Sequence, residues 1–355
     1  MSAVERVELA PGYWISRLIR GGWQLAGDHG PVDRERAIAE LAAFPEAGVT
    51  TFDGADIYRG VEALFGAFRA RYRDSHGDAA LAALRFHTKL VPDADRLPPA
   101  RAWVDETIDR SRARLRQDRL DLVQLHWWDY QVPGMVEMAL QLAELQAAGR
   151  LAQLGATNLD TPHLAAILDA GVPLVALQCQ YSLLDRRPEH GIAALCAERG
   201  VGLLCYGTLA GGFLTDRWLG AADPDLAALG NRSLVKYRLI IDEFGGWPAF
   251  QALLRGLRRI ADRHGVGIAA IATRWVLDRP AVKGVIVGAR YATHLQANLD
   301  AFAVRLDDRD HALLEPLLAA HPGPPGDTFA LERDRTGRHG RIMKYNLNAG
   351  SDRIG

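Results

Sequence analysis

At 355 residues the chain is long enough for one large α/β domain or two ordinary ones. Its 42 Lys and Arg stand against 43 Asp and Glu, so no positive field exists of the kind that holds nucleic acid or an anionic membrane. With 48% hydrophobic residues the composition is that of a globular protein with a sizeable core, and small molecules are the expected partners, the oligomeric state being left open.

The opening segment MSAVERVELAPGYW lacks a basic region followed by an apolar stretch, and every long apolar run is broken by charge or glycine. The expected location is therefore the cytoplasm. Within VELAPGYWISRL a Pro-Gly turn separates two short extended runs, a hairpin suited to plugging a barrel floor. Apolar runs of strand character then recur at Leu18–Trp23, Thr50–Asp53, Arg85–Lys89, Asp121–His126, Ala152–Ala156, Leu174–Gln178, Gly202–Tyr206 and Gly284–Val287. Helical periodicity fills segments between them, among them Asp33–Phe44, Ala100–Leu115, Gly134–Ala148, His163–Ala170 and Ile192–Arg199. Eight βα units predict a (β/α)8 TIM barrel over residues 1–320. Two stretches break the rhythm: a long loop after strand seven, Thr215 to about Trp247, and a C-terminal extension, residues 321–355. Phe329, Leu331, Ile342, Met343 and Tyr345 are apolar anchors that predict a tail packed over the barrel mouth, although the charged run LERDRTGRHGR equally suits a solvated surface strand. Cys179, Cys196 and Cys205 match neither a disulfide framework nor a zinc spacing and read as buried thiols.

Polar residues recur at the C-terminal ends of the predicted strands, where a barrel of this type carries its site. Asp53, Lys89, His126, Gln178 and Tyr206 each end a strand, and Thr157 and Asn158 follow one. Singly, each has a plain explanation as a cap or an ion pair. Together, Asp53, Tyr58, Lys89 and His126 have a common chemical purpose, the protonation of an oxygen while a hydride arrives at its carbon. An ammonium at Lys89 favours the Tyr58 phenolate and lowers its pKa toward working pH, and Asp53 holds that ammonium. His126 donates to the same carbonyl oxygen and stabilises the developing alkoxide. This chemistry requires neither a metal nor a covalent intermediate.

The stretches TTFDGADIY, FHTKL and LVQLHWW resemble those in which aldo-keto reductases carry an Asp, Tyr, Lys and His tetrad, in the same order and with the same five-residue step from Asp53 to Tyr58. The resemblance runs from about Leu18 to Leu318. It implies Tyr58 as general acid/base, Asp53 and Lys89 as its tuning pair and His126 as carbonyl orienter. It implies NADP(H) as cofactor, with NAD(H) possible. Thr157, Asn158 and Gln178 resemble the partners of the nicotinamide carboxamide, and Tyr206 the aromatic that stacks on the ring. The resemblance further implies that Gly22 and Trp23, with Asp53, border the nicotinamide. The segment YGTLAGGFL, with Gly207, Thr208, Leu209, Ala210 and Gly211, resembles the pyrophosphate loop. After strand eight, Gly288, Arg290, His294 and Asn298 fall in a stretch similar to the adenosine-phosphate segment, Arg290 meeting a 2′-phosphate. There the chain departs from the family pattern at Val287, His294 and Ala297, and Arg59 follows the tyrosine where glycine is common. Trp23 and Trp127, beside Tyr58 and His126, correspond to substrate-pocket positions, and Trp128 is a further candidate, with ordinary core packing as the competing reading of each tryptophan.

A Rossmann dehydrogenase needs a glycine fingerprint after its first strand, and GGWQLAG stands there instead. A metal-dependent barrel hydrolase needs several His and carboxylate ligands at strand ends, which supply a single His. The resemblance therefore implies reversible hydride transfer to an aldehyde, ketone or sugar carbonyl. The alternative is a nicotinamide-nucleotide-binding regulatory subunit with slow turnover.

Overall fold

Pro11 fixes one corner of a two-residue turn and Gly12 takes the other at φ 73°, so β1 (Arg6–Ala10) and β2 (Tyr13–Ser16) form an antiparallel hairpin. The computed structural model describes residues 4–26, 30–289 and 291–345. The hairpin's Leu9, Tyr13 and Ile15 pack on Ile19, Leu122, Ala176, Leu204 and Ile286, closing the N-terminal end of a barrel. That barrel comprises β3 (Leu18–Gly21), β4 (Thr51–Asp53), β5 (Arg85–Leu90), β6 (Leu120–His126), β7 (Leu151–Thr157), β8 (Leu174–Gln180), β9 (Gly202–Tyr206) and β10 (Val282–Gly288). All eight are parallel, and β10 pairs with β3 to close the ring.

Each strand is buried on its inner face by barrel contents and on its outer face by helices, which is why it reads as a nearly unbroken apolar run. No end of the eight predicted strands moves by more than two residues. The side-chain period of two sends Gln178 and Gln180 of β8 inward and Cys179 between them outward into the layer of helices. All three cysteines are buried and free, and Cys179 stands opposite Cys205 in the register of β8 and β9.

The first predicted helix is divided: Asp33 is its N-cap, and Arg34–Leu41 gives way to a separate turn at Ala43–Glu46. The connection from β9 to β10 contains three α-helices, Arg232–Phe244, Gly246–His264 and Ile268–Leu277, and the first of them makes the second half of the long loop regular. Asn231 caps the first by accepting from the Leu234 N–H, and Gly245, at φ 123°, separates the first two. After the helix Asp308–Ala320 the chain continues across the C-terminal strand ends, where the Thr161 N–H donates to Asp327. Among the described residues no helix is long and apolar enough to cross a membrane.

Candidate active site

Strands β4 and β5 end side by side, so Asp53 and Lys89 meet across the barrel interior. The Lys89 ammonium donates to Asp53 Oδ2 at 2.6 Å and to the Gly54 carbonyl at 2.8 Å. Asp53 Oδ1 accepts from the amides of Gln124 and Gln178, each at 2.9 Å. Both charges are almost completely buried, and such a pair is tolerable only because its remaining lone pairs and protons are satisfied in this way. Burial pulls the Lys89 ammonium down, but the opposing charge of Asp53 and the bonds to Asp53 and Tyr58 hold it above its ordinary range.

Tyr58 lies on the loop after β4, its ring centroid 5.1 Å from the Lys89 ammonium and 4.9 Å from the Trp23 ring. Burial raises its pKa, Lys89 opposes that rise, and Asp53 adds to it; the net position is above the ordinary phenol value. The expected lowering by Lys89 is therefore present as one contribution and is outweighed by desolvation. Tyr58 keeps its proton throughout the neutral range.

His126 ends β6 opposite Thr157 of β7. Its Nδ1 is 3.2 Å from the Thr157 carbonyl, whereas its Nε2 is buried without a protein partner. Burial, reinforced by the charges of Arg333 and Lys89, pulls its pKa down to about 3, so the ring is neutral. Trp128 stands edge-on to it at 4.2 Å and Phe329, from the tail, at 5.8 Å. Trp127 is not part of this group. One residue beyond His126 it turns to the helix-facing core, and its indole N–H donates to the carbonyls of Asp129 and Val132. The pocket expectation for Trp127 gives way to its competing core reading.

Around the other half of the mouth, Gly22 donates its N–H to the Asp53 carbonyl, and a Cβ there would lie 2.7 Å from Val61. The Trp23 indole donates to Ser233 at 3.3 Å. Asn158, at φ 59°, accepts from the Tyr206 hydroxyl at 2.8 Å, and Thr157 and Gln178 are buried beside it. Beyond Tyr206 the chain turns tightly: Gly207, Ala210, Gly211 and Gly212 all have positive φ, with Thr208 buried and Leu209 partly buried among them. A Cβ on Gly207 would sit 2.5 Å from the Tyr237 hydroxyl. A Cβ on Gly288 would meet the Gln24 amide. His294 is exposed and Asn298 buried on a helical segment fastened to the first helix through Ala292 and Glu40; Arg290 lies outside the described residues.

A buried charge cluster joins the tail to the barrel and to the helix Arg232–Phe244. Arg187 donates to Asp185 at 2.7 and 2.9 Å and to Glu332 at 2.8 and 3.2 Å, while Lys236 lies 3.4 Å from Glu332 and 5.3 Å from the Tyr206 ring centroid. Arg333 donates to the carbonyls of Trp127, Trp128 and Asn158. Sequence reasoning missed Lys236, Glu332 and Arg333, because each belongs to a polar segment whose partners are distant in the chain. Among the described residues no group of three or more His, Cys, Asp or Glu is placed to hold a metal.

A family model described as the aldo/keto reductase family matches residues 17–319. Flagellar radial spoke protein 5 of Chlamydomonas reinhardtii is 30% identical over 258 residues, 63% of this chain and 49% of that protein. The chain thus spans about half the length of that relative. Aldo-keto reductase YhdN of Bacillus subtilis is 27% identical over 327 residues, 88% of this chain and 94% of the relative. Among solved structures, the glycerol dehydrogenase of Gluconobacter oxydans superposes with a TM-score of 0.73 at 23% identity, covering 92% of this chain and 97% of that one, a likeness of fold.

Proposed function

The chain belongs to the aldo/keto reductase family, and from that premise we propose that it transfers a hydride between a nicotinamide nucleotide, NADP(H) in preference to NAD(H), and the carbonyl carbon of an aldehyde, ketone or sugar, with Tyr58 as general acid/base. The observation that carries this reading is the buried Asp53–Lys89 pair held against a protonated Tyr58 at the open ends of the strands. A binding subunit with slow turnover has no need of a proton donor kept in this setting.

The residues present fit such a nucleotide. The positive φ at Gly207, Ala210, Gly211 and Gly212 makes a tight turn that lets backbone N–H groups come close to an anion, and Ala210 at φ 46° is a strained conformation for a residue with a Cβ. Thr157 offers a hydroxyl and Asn158 and Gln178 side-chain amide groups to a carboxamide, Tyr206 an aromatic face, and residues 207–211 the pyrophosphate turn; Gly288, Arg290, His294 and Asn298 serve the adenosine end. When bound, the nucleotide supplies the hydride.

The protein's own part is to hold and move a proton. Tyr58 donates from its hydroxyl to the carbonyl oxygen as that oxygen becomes an alkoxide, and Lys89 stabilises the phenolate left behind. Asp53, braced by two amides, keeps Lys89 charged and in place. Trp23, Trp128 and Phe329 exclude water, the last from a tail that forms one wall of the pocket. The test is a panel of aldehydes, ketones and sugars assayed with both cofactors in both directions. Cofactor-dependent turnover of at least one carbonyl is expected; nucleotide binding without turnover of any would favour the regulatory reading.

A further inference from the structure

The side-chain period of two that brings Lys89 into the barrel also turns His87 and Arg85 of β5 inward beneath it. Leu122, the register neighbour of His87 on β6, packs with Ile19, Ala176, Leu204 and Ile286, so His87 is a polar group set in an apolar interior. It has no solvent exposure, and neither ring nitrogen has a protein partner. Burial, against the opposing charge of Asp53, pulls its pKa down to about 4, and the neutral ring carries one N–H and one lone pair. The ring centroid of Tyr13, from the hairpin that plugs the floor, is 6.2 Å away, and the Tyr13 hydroxyl is likewise buried without a protein partner. Buried polar atoms in native proteins are paired, with ordered water where no side chain reaches. Leucine or phenylalanine would fill the same space without that requirement.

This polar column has two ends. Above, register sets His87 beside Asp53 of β4, and Lys89 follows two residues on. Below, the Arg85 guanidinium lies 5.2 Å from the Tyr13 ring centroid and lines a surface cavity of about 270 Å³ with Arg69, Gln117 and Asp121. Arg69 Nε, Arg85 Nε and Gln117 Oε1 are further buried atoms without a protein partner there. We propose that water occupies the column and that Tyr13 and His87 pass protons along it, from the cavity at the barrel floor to the Asp53–Lys89 pair and so to Tyr58. The inference deepens the proposed function and rests on it.

The protons balance along this route. Tyr58 gives its proton to the carbonyl oxygen, and the phenolate takes one from the Lys89 ammonium to which it is hydrogen-bonded. The amine takes a proton from water held by His87. The imidazole releases a proton from one nitrogen as it accepts at the other, and a half-turn of the ring restores the first tautomer. The Tyr13 hydroxyl hands on in the same way, and one solvent proton enters from the cavity for each hydride transferred. The mouth is the competing route, but Trp23, Trp128 and Phe329 exclude water there while nucleotide and carbonyl are bound. The floor cavity does not depend on what the mouth holds.

The test follows NADPH absorbance and a pH-indicator dye together during a single turnover with a reactive aldehyde in weakly buffered solution. In the parent, proton uptake should keep pace with hydride transfer. His87→Gln keeps a donor and an acceptor and so holds water, but an amide does not hand a proton from one atom to the other. Tyr13→Phe removes one hydroxyl and keeps the ring against Arg85. In both variants uptake should trail hydride transfer by about 10-fold or more, since a positioned proton-transfer group is worth ~100-fold to 10,000-fold. A merely structural role would slow the two signals together. Uptake in step with oxidation in both variants overturns the relay and leaves hydride transfer standing. So does a crystal structure with no water in hydrogen-bond reach of the Tyr13 hydroxyl and His87. Failure of the hydride-transfer reading appears separately, as no nucleotide oxidation by the parent with any carbonyl, and it ends the relay as well.

Discussion

Glu332→Gln tests how the tail is held. The carboxylate has no solvent exposure and accepts from Arg187 at 2.8 and 3.2 Å with Lys236 at 3.4 Å, so the change removes one negative charge from a cluster of two cations and two anions. Arg187 keeps both bonds to Asp185, and the loss falls on Lys236, whose ammonium burial already pulls below its ordinary range. Breaking a buried pair costs about 3–5 kcal/mol, and the low end applies because glutamine keeps the shape and one acceptor. The cost falls on the tail, which can lift from a barrel that retains its own core. A change of about 3 kcal/mol is roughly a hundredfold in the opening equilibrium, at 1.4 kcal/mol per factor of ten. Tryptic cleavage within residues 333–341, run where opening and closing are fast, reads that equilibrium directly and should accelerate by about that factor. Lys236→Met in the same chain should restore much of the protection by removing the orphaned cation. Cleavage within threefold of the parent, or a double variant more labile than the single one, would refute the reasoning. The sign with pH follows from the same contacts. Arg187 and Lys236 overcome the effect of burial and hold the Glu332 carboxyl well below the usual carboxylate range. Its contribution is thus complete above about pH 4.3, the unfolded value, and is lost only as pH falls through the depressed one.

Gly207→Ala places a Cβ at φ 73° and 2.5 Å from the Tyr237 hydroxyl, so KM for the nucleotide should rise about 5- to 30-fold with kcat little changed; an unaltered KM would remove the turn from the cofactor site. Arg290→Ala should weaken NADPH by roughly 1.5–3 kcal/mol and NADH far less, and equal losses in a binding titration would place the phosphate contact elsewhere. Because burial raises the Tyr58 pKa above 10, kcat/KM for reduction should stay flat from pH 6 to about 9 while that for oxidation rises with pH; a reduction rate halved near neutrality would contradict a raised phenol.

The barrel was legible because burial on both faces makes each strand an apolar run, and because Asp53, Lys89, His126 and Gln178 interrupt those runs at one end. Their convergence follows from register, which pairs Lys89 with Gln124 and His126 with Thr157. What could not be read depends on non-local contacts. Helix Arg232–Phe244 begins among polar residues and owes its position to the Arg238–Asp223 pair and to burial of Ile240 and Ile241, which local periodicity did not reveal. Glu332 is 145 residues from Arg187, so the tail's charges looked solvated. Trp127 and Trp128 are adjacent in LHWW, and only the direction of the chain after β6 separates core from pocket. The phenol's net shift was misjudged because sequence shows the neighbouring charge and not the depth of burial.

The central claim is that Tyr58 delivers the proton, and single-turnover oxidation of prebound NADPH by a reactive carbonyl, in the parent and in Tyr58→Phe, tests it most directly. The variant loses one hydroxyl while keeping the ring against Trp23. Nucleotide affinity should be nearly unchanged and the hydride-transfer rate should fall by ~100-fold to 10,000-fold, the usual range for loss of a general acid. A variant that keeps most of the parent rate would contradict the account and move the proton donor to another group.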